Sequence, residues 1–428
     1  MAMTLYGNVF ALILAACFFQ AAVGVLGIWL PLEMAALGWS NVQIGATASS
    51  YAAGFILGAF FTPRFLKPIG HIRAFAAAGA LGCVATLALY AIAEPWAWTI
   101  LRGLGGFVVA GMFAVAESWI ADATEPQDRG RVLSAYIVSG RIGLIGAPFL
   151  VASAAAGAPE PYMLAGGLLA FALIPVAGTR RHQPQPPENV EVDLPALARI
   201  APAAMVSAFV AGFVNSGVLA FAPLYAAALN PEGAVERSAV LIGAAYMGSL
   251  LAQWPAGWLS DRIDRRWVIA GLGAVAALAA GALAFSAEVP AFAIVLAGFG
   301  LWGAGSFSYY SLAIAHAADR SHREDLPRMT AALTVVWAVG SVLGPIVMAQ
   351  ASNLLGLTMG VFGPAALLAA LLVVAMLVRR VVRPSASQAM HEDYAPAVVS
   401  SLFADMDPRA PDDVAACAPE VEPAPETA

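Results

Sequence analysis

Twelve long apolar segments fall into two sets of six, and the second set repeats the first at an offset of about 197 residues. Gly103 falls on Gly300, Gly106 on Gly303 and Asp122 on Asp319. Arg131 falls on Arg328, Gly143 on Gly340 and Pro148 on Pro345. Each matched set lies on two apolar segments joined by a short charged loop. Six segments are an even number, so both halves enter the bilayer from the same side and form parallel repeats.

The segments must lie in a membrane. Of the 428 residues, 61% are hydrophobic and only 11% charged, against about 25% charged in a soluble domain. The charge sits in clusters between apolar runs of roughly 20 residues, enough to cross a bilayer as helix. The pattern predicts an all-α protein with spans at 8–32, 42–62, 74–93, 97–120, 132–153, 161–178, 200–225, 237–257, 267–286, 290–314, 330–350 and 358–378. The N-terminus lacks the basic run of a cleaved leader. Cys17, Cys83 and Cys417 form neither a disulfide framework nor a zinc spacing. The composition suggests no cofactor, metal site or nucleic-acid partner; the expected partners are the bilayer and a small solute, and the chain reads as a monomer.

Arginine and lysine mark one side. Loop 2–3 carries Arg64, Lys67 and Arg73, loop 4–5 Arg129 and Arg131, loop 8–9 Arg262, Arg265 and Arg266, and loop 10–11 Arg320, Arg323 and Arg328. The opposite loops carry Arg237 beside Glu94, Glu160, Glu232 and Glu288. Positive charge is retained in the cytoplasm, so the expectation is a multi-pass protein of the cell inner (plasma) membrane with both termini cytoplasmic. The organisation reads as a first half over 1–178, a proline-rich cytoplasmic linker over 179–199, a second half over 200–380 and an acidic tail over 381–428. After Val381 the tail holds nine acids and two arginines, and its composition is that of a disordered segment.

Loop 8–9 reads Gly257-Trp-Leu-Ser-Asp261-Arg262-Ile-Asp264-Arg265-Arg266. Gly257 permits close helix packing where the chain leaves the membrane, Asp261 suits a helix N-terminus, and the arginines suit acids at neighbouring helix ends. In loop 2–3, Gly70 and Arg73 keep the pattern, but Pro63 replaces the first glycine and Lys67 the aspartate. Lys67 or Arg73 could there meet Glu117 or Asp122. Helix 4 carries Arg102-Gly-Leu-Gly-Gly106, then Ala116-Glu117-Ser118-Trp119 and Arg129-Gly130-Arg131. Span 5 carries Gly143-Leu-Ile-Gly146-Ala147-Pro148 and span 11 Gly340-Ser-Val-Leu-Gly344-Pro345.

From about residue 8 to 380 the chain resembles the major facilitator superfamily, and within it the YcaD-like subgroup. Loop 8–9 resembles its G-x-x-x-D-R-x-G-R-R signature, with Asp264 in place of the usual glycine. The resemblance implies twelve helices in two six-helix halves and a central cavity lined by helices 1, 4, 7 and 10. It also implies a cytoplasmic gate. The gate residues expected here are Gly257, Asp261, Arg262, Arg265, Arg266, Gly70, Arg73, Asp122 and Asp319. The G-x-x-x-G-P pattern resembles that of drug–proton antiporters and favours efflux, although span 5 has Ala147 for its second glycine. A counterpart of Arg102 is linked to proton coupling in the family.

Ionisable groups inside spans are costly and point to function. Arg141 lies ten residues into span 5, roughly 15 Å deep by helical rise. Arg102 lies toward the outer end of span 4 and Glu117 near its inner rim, and no acid occupies the middle of a span. Two guanidinium groups favour an anionic solute, because their forks match carboxylate and phosphate. Trp302, Ser306, Tyr309 and His316 fall on one face of span 10, with Gln20 on span 1 and Asn215 on span 7 as matching polar residues. Such a face orients a small ligand.

The reading is a secondary active transporter working by alternating access, with protons as a candidate coupling ion and Glu117, Arg102 and His316 as candidate coupling groups. No G-x-x-x-x-G-K-[ST] loop supplies ATP, and no paired carboxylates or nucleophile elbow suggest an enzyme. The alternative is a non-transporting sensor or lipid-handling protein on the same fold.

Overall fold

The computed structural model describes residues 2–124, 126–178, 192–286, 291–322 and 325–382. The helices in order are α1 (Ala2–Ala36), α2 (Asn41–Ile69), α3 (His71–Ala91), α4 (Pro95–Ala123), α5 (Pro126–Gly146), α6 (Glu160–Ala177) and α7 (Leu194–Ile200). They continue as α8 (Pro202–Leu229), α9 (Ala234–Ser260), α10 (Arg265–Ala284), α11 (Phe292–Ser306), α12 (Tyr309–Ala318), α13 (Leu326–Leu355) and α14 (Leu357–Val382). Among the described residues, twelve segments are long and apolar enough to cross a membrane. Spans 1–6 are α1–α6, spans 7–9 are α8–α10, span 10 is α11 with α12, and spans 11 and 12 are α13 and α14.

Four boundaries differ from expectation, each for a local reason. Span 2 runs on to Ile69 and stops at Gly70, whose φ of 77° ends the helix and is a conformation glycine adopts without penalty. Span 5 leaves α geometry at Gly146 and finishes as a 3-10 turn over Ala147–Val151, because Pro148 has no N–H to continue the ladder. Span 10 is not one helix: it breaks at Phe307–Ser308, where the Ser308 hydroxyl donates to the Ala304 carbonyl at 2.9 Å and competes with the backbone. The expected linker, 179–199, contains the start of α7, capped by Asp193, whose carboxylate accepts from the Ala196 N–H at 2.8 Å. Residues 179–191 of that linker and the acidic tail from 383 lie outside the described residues.

Helix pairings in the first half recur in the second. α2 packs along α4, α1 against α5 and α6, and α3 against α4 and α6; correspondingly, α9 packs along α11, α8 against α13 and α14, and α10 against α11 and α14. The glycines matched by the 197-residue offset make matching approaches. A Cβ on Gly106 would run into the Tyr51 carbonyl of α2, and one on Gly303 into the Ala245 carbonyl of α9. A Cβ on Gly143 would strike the Cys17 carbonyl of α1, and one on Gly340 the Phe209 carbonyl of α8. In lipid the hydrophobic effect does not draw helices together, so this backbone approach supplies the packing.

The halves meet along α2–α13, α1–α8 and α5–α9. At the arginine-poor end the α2–α13 seam is closed: Asn41 donates to Asn353 at 3.2 Å, and the Ser49 hydroxyl donates to the Val342 carbonyl at 2.6 Å. Toward the arginine-rich end the same seam holds a small gap lined by Phe55, Ile56, Phe60, Thr334, Val335 and Trp337. Outward-facing Leu251, Trp254 and Leu278 are largely exposed, as lipid-facing side chains are.

Candidate functional site

Both intramembrane arginines lie against tyrosines that the sequence reading did not single out. The Arg102 guanidinium sits over the Tyr51 ring of α2, 4.2 Å from its centroid. The Arg141 guanidinium sits over the Tyr246 ring of α9, 4.1 Å from its centroid. Tyr51 and Tyr246 are close enough to act on one another electrostatically, which places the two pairs across the seam between the halves. Neither arginine has an ion pair or a hydrogen bond among the described residues. A ring face holds a guanidinium by its plane, for about 0.5–2 kcal/mol, and leaves the N–H edge free to fork an anion. Gln20 lies beside this group: its side-chain amide fills the space against Gly140, next to Arg141.

The aromatic surface extends into the second half. Tyr246 stacks on Phe307 at 5.0 Å with planes 14° apart, and Phe307 meets the Trp302 edge at 5.3 Å. Phe307 stands at the break in span 10, which frees it from the regular helical surface. Around the break, Trp302, Ser306 and Tyr309 are buried. Asn215 of α8 donates to the Ser306 carbonyl at 3.4 Å. The Trp302 Nε1, Ser306 Oγ, Tyr309 hydroxyl and Asn215 Oδ1 are buried without a hydrogen-bond partner among the described residues. Buried polar atoms are normally paired, and each unpaired one carries a penalty of about 1–3 kcal/mol. His316 stands apart from this group: it is buried at the arginine-rich end, beside Arg266, Arg320 and Arg379 around a small cleft.

The arginine-rich end of the second half is tied by ion pairs. Arg265 forks Asp319, with Nε to Oδ2 at 2.6 Å and Nη2 to Oδ1 at 3.1 Å. Its Nη1 donates to the Ser260 hydroxyl at 3.0 Å and to Asp261 at 3.1 Å. Asp261 therefore accepts from Arg265 of α10. The aspartate that caps α10 is Asp264, which accepts from the Arg266 N–H at 3.0 Å and forks the Arg266 guanidinium. This explains an aspartate where the resemblance leads one to expect glycine. Arg266 also donates to the Arg379 carbonyl at 2.8 Å, and Arg262 lies on the Trp258 ring at 4.0 Å. Gly257 is buried in the last turn of α9.

The first half is built differently at the same end. Lys67, Arg73 and Asp122 are exposed and make no ion pair among the described residues, so the expected pairing of Lys67 or Arg73 with Asp122 is absent. The reason is the loop's composition: without an acid at Lys67 there is nothing to hold an arginine in place. His71, eight residues after Pro63 as Arg265 is eight after Gly257, takes the buried position instead. Its Nε2 meets the Ser118 hydroxyl of α4 at 3.0 Å. Glu117, the neighbour of Ser118, is fully buried and has the Tyr136 phenol of α5 beside it. Arg131 makes only an exposed contact with Asp128 at 3.8 Å.

The family pattern of the Major Facilitator Superfamily matches residues 12–249 and 204–406, the greater part of the chain. The chain belongs to this superfamily. Among curated relatives, an uncharacterized MFS-type transporter, YcaD, of Salmonella dublin is 28% identical over 337 residues, 76% of this chain and 83% of that protein. The YcaD of Escherichia coli O139:H28 is 28% identical with the same coverage. Among solved structures, the nucleoside transporter NupG superposes with a TM-score of 0.71 at 15% identity, covering 86% of this chain and 98% of that one. The D-xylose-proton symporter superposes with a TM-score of 0.70 at 13% identity, covering 89% and 98%. At such identities the superpositions establish the fold alone.

Tyr51, Tyr246, Phe307, Tyr136 and His71 are candidate site residues that sequence reasoning leaves out. Tyr51 carried a usable signal, lying on the helix that the repeat glycines Gly103 and Gly106 approach. The others depend on contacts between helices far apart in sequence.

Proposed function

We propose that this superfamily member is a secondary transporter that moves a small anionic solute across the cell inner membrane by alternating access. The observation that carries the reading is the pair of arginines, Arg102 and Arg141, each held on a tyrosine face with no acid paired to it among the described residues. An intramembrane guanidinium is too costly to keep without a task. Here two of them rest on tyrosines close enough to interact, one from each half.

The arginine-rich end is cytoplasmic by the positive-inside rule, and both termini lie on that side. The halves rock about the arginine–tyrosine seam. The tie between Asn41 and Asn353 at one end of α2 and α13, and the small gap near Phe60 and Val335 at the other, support a seam that parts toward the cytoplasm. The Arg265–Asp319 fork holds the inner ends of α10 and α12 together as one rigid piece. Glu117 with Tyr136 is the candidate proton carrier, because it is a fully buried acid on α4 with a phenol beside it. The span 11 glycine–proline pattern favours efflux.

The test is flux in proteoliposomes. Purified protein is reconstituted, internal pH is followed, and pooled organic anions and cations are offered. Anion-dependent flux that falls in Arg102→Gln and Arg141→Gln, with both variants folded, is expected. Cation transport that survives both substitutions contradicts the reading.

A further inference from the structure

The seam holds more than two positive charges. A ring has two faces, and the contacts on Tyr246 use both. The guanidinium carbon of Arg141 is 4.1 Å from its centroid, and the Phe307 ring is stacked at 5.0 Å and 14°. Two planar groups at those distances cannot share a face. Tyr246 is therefore the middle of a layered stack, guanidinium–phenol–phenyl, which Trp302 closes edge-on at 5.3 Å. Across from it, Arg102 covers Tyr51 at 4.2 Å. Arg102, Tyr51, Arg141, Tyr246 and Phe307 are all only half-buried, so the two flat walls keep accessible surface.

Near the break in span 10, four buried polar atoms have no hydrogen-bond partner among the described residues: Trp302 Nε1, Ser306 Oγ, Tyr309 hydroxyl and Asn215 Oδ1. Three can donate and Asn215 Oδ1 accepts. They flank the helix break at Phe307–Ser308.

We infer that the transported anion is a planar aromatic carboxylate, held by its carboxylate on the guanidinium edges of Arg141 and Arg102, with its ring on the open face of Tyr51 and against the edges of Tyr246 and Phe307. A ring substituent that donates or accepts hydrogen bonds would reach the Asn215–Ser306 node. This rests on the transport reading above and adds the shape of the solute. A small inorganic anion would use the two charges but leave the aromatic walls and the polar node without a function. An aromatic cation would find its ring surface and be repelled by both arginines.

The test is equilibrium binding to the full-length protein in nanodiscs, so that it does not depend on flux. The probes are benzoate, indole-3-carboxylate, cyclohexanecarboxylate and benzylamine at millimolar concentration. Cyclohexanecarboxylate keeps the charge and size of benzoate but is not flat. Aromatic-ring contacts of about 0.5–1.5 kcal/mol each predict that the aromatic acids bind roughly tenfold tighter. Tyr246→Leu is expected to abolish that preference and Tyr246→Phe to keep it. Arg141→Lys keeps the charge but loses the fork, and is expected to weaken benzoate binding about tenfold or more.

Equal binding of benzoate and cyclohexanecarboxylate overturns the inference and leaves anion transport standing. Binding of benzylamine in preference to benzoate overturns both. Failure of either aromatic acid to bind, in protein that melts as a folded species, overturns the inference. So does a preference that survives Tyr246→Leu.

Discussion

Replacing Asp319 by asparagine tests how the arginine-rich end of the second half is held. Arg265 and Asp319 have side chains only 1% and 2% exposed, and their closest approach is 2.6 Å. At an effective dielectric of 20, unit charges about 4 Å apart interact by about 4 kcal/mol. The substitution is isosteric, so one of the two fork bonds can persist through the amide oxygen while the charge is lost. Arg265 stays buried with Ser260 and Asp261 as remaining partners. Breaking a buried pair by removing one charge costs about 3–5 kcal/mol, and the retained partners put this variant near the lower end. Asp261 is the internal control. Its side chain is 29% exposed and it makes a single bond to Arg265 at 3.1 Å, so Asp261→Asn is expected to cost about 1 kcal/mol or less. The assay is reversible unfolding of both variants in mixed micelles, followed by helicity. Asp319→Asn losing several times as much stability as Asp261→Asn supports the argument. Equal losses, or a negligible loss for Asp319→Asn, refutes it.

Other expectations follow from specific contacts. Gly106→Ala and Gly303→Ala each drive a methyl into a backbone carbonyl of the paired helix, so both should lower melting temperature, whereas Gly105→Ala, with open space around it, should not. Gly70→Ala forces a side chain into φ of 77° and ψ of 163° and should cost about 1–3 kcal/mol, read as a lower unfolding midpoint with flux retained in folded protein. Asp264→Gly restores the expected family residue but removes the α10 cap and the Arg266 fork; loss of the cap alone should cost a few tenths of a kcal/mol, and any larger drop measures the fork. Glu117→Gln should leave anion binding intact and abolish anion-driven proton movement; unchanged proton movement would remove Glu117 from the coupling scheme.

The spans are legible because burial in lipid demands apolar runs of fixed length, and nothing but length and hydropathy is needed to find them. The glycine pairs are legible for a related reason. A 197-residue offset that preserves Gly103 and Gly106 preserves the close approach to a neighbouring helix that they permit, although the sequence does not name that neighbour. Arg102 and Arg141 are conspicuous as charges in apolar context, but their tyrosine partners are not. Cation–π contacts join residues 51 and 105 positions apart and impose no periodicity. The break in span 10 is hidden for the opposite reason: Gly303, Gly305, Ser306 and Ser308 are each tolerated in a membrane helix, and only their combination against α9 and α10 ends it. His71 escapes notice because a histidine in a charged loop reads as solvated until folding buries it against Ser118.

The central claim is that the two halves move about the arginine–tyrosine seam, and paired distance measurements at its two ends test it most directly. Spin labels at Ile56 and Val335 would report the gap, and labels at Asn41 and Asn353 the closed end, in protein whose native cysteines are replaced. The account predicts that a bound aromatic carboxylate shifts the two distance distributions in opposite directions, one end closing as the other opens. Distances that stay fixed at both ends, or that widen together, would contradict it.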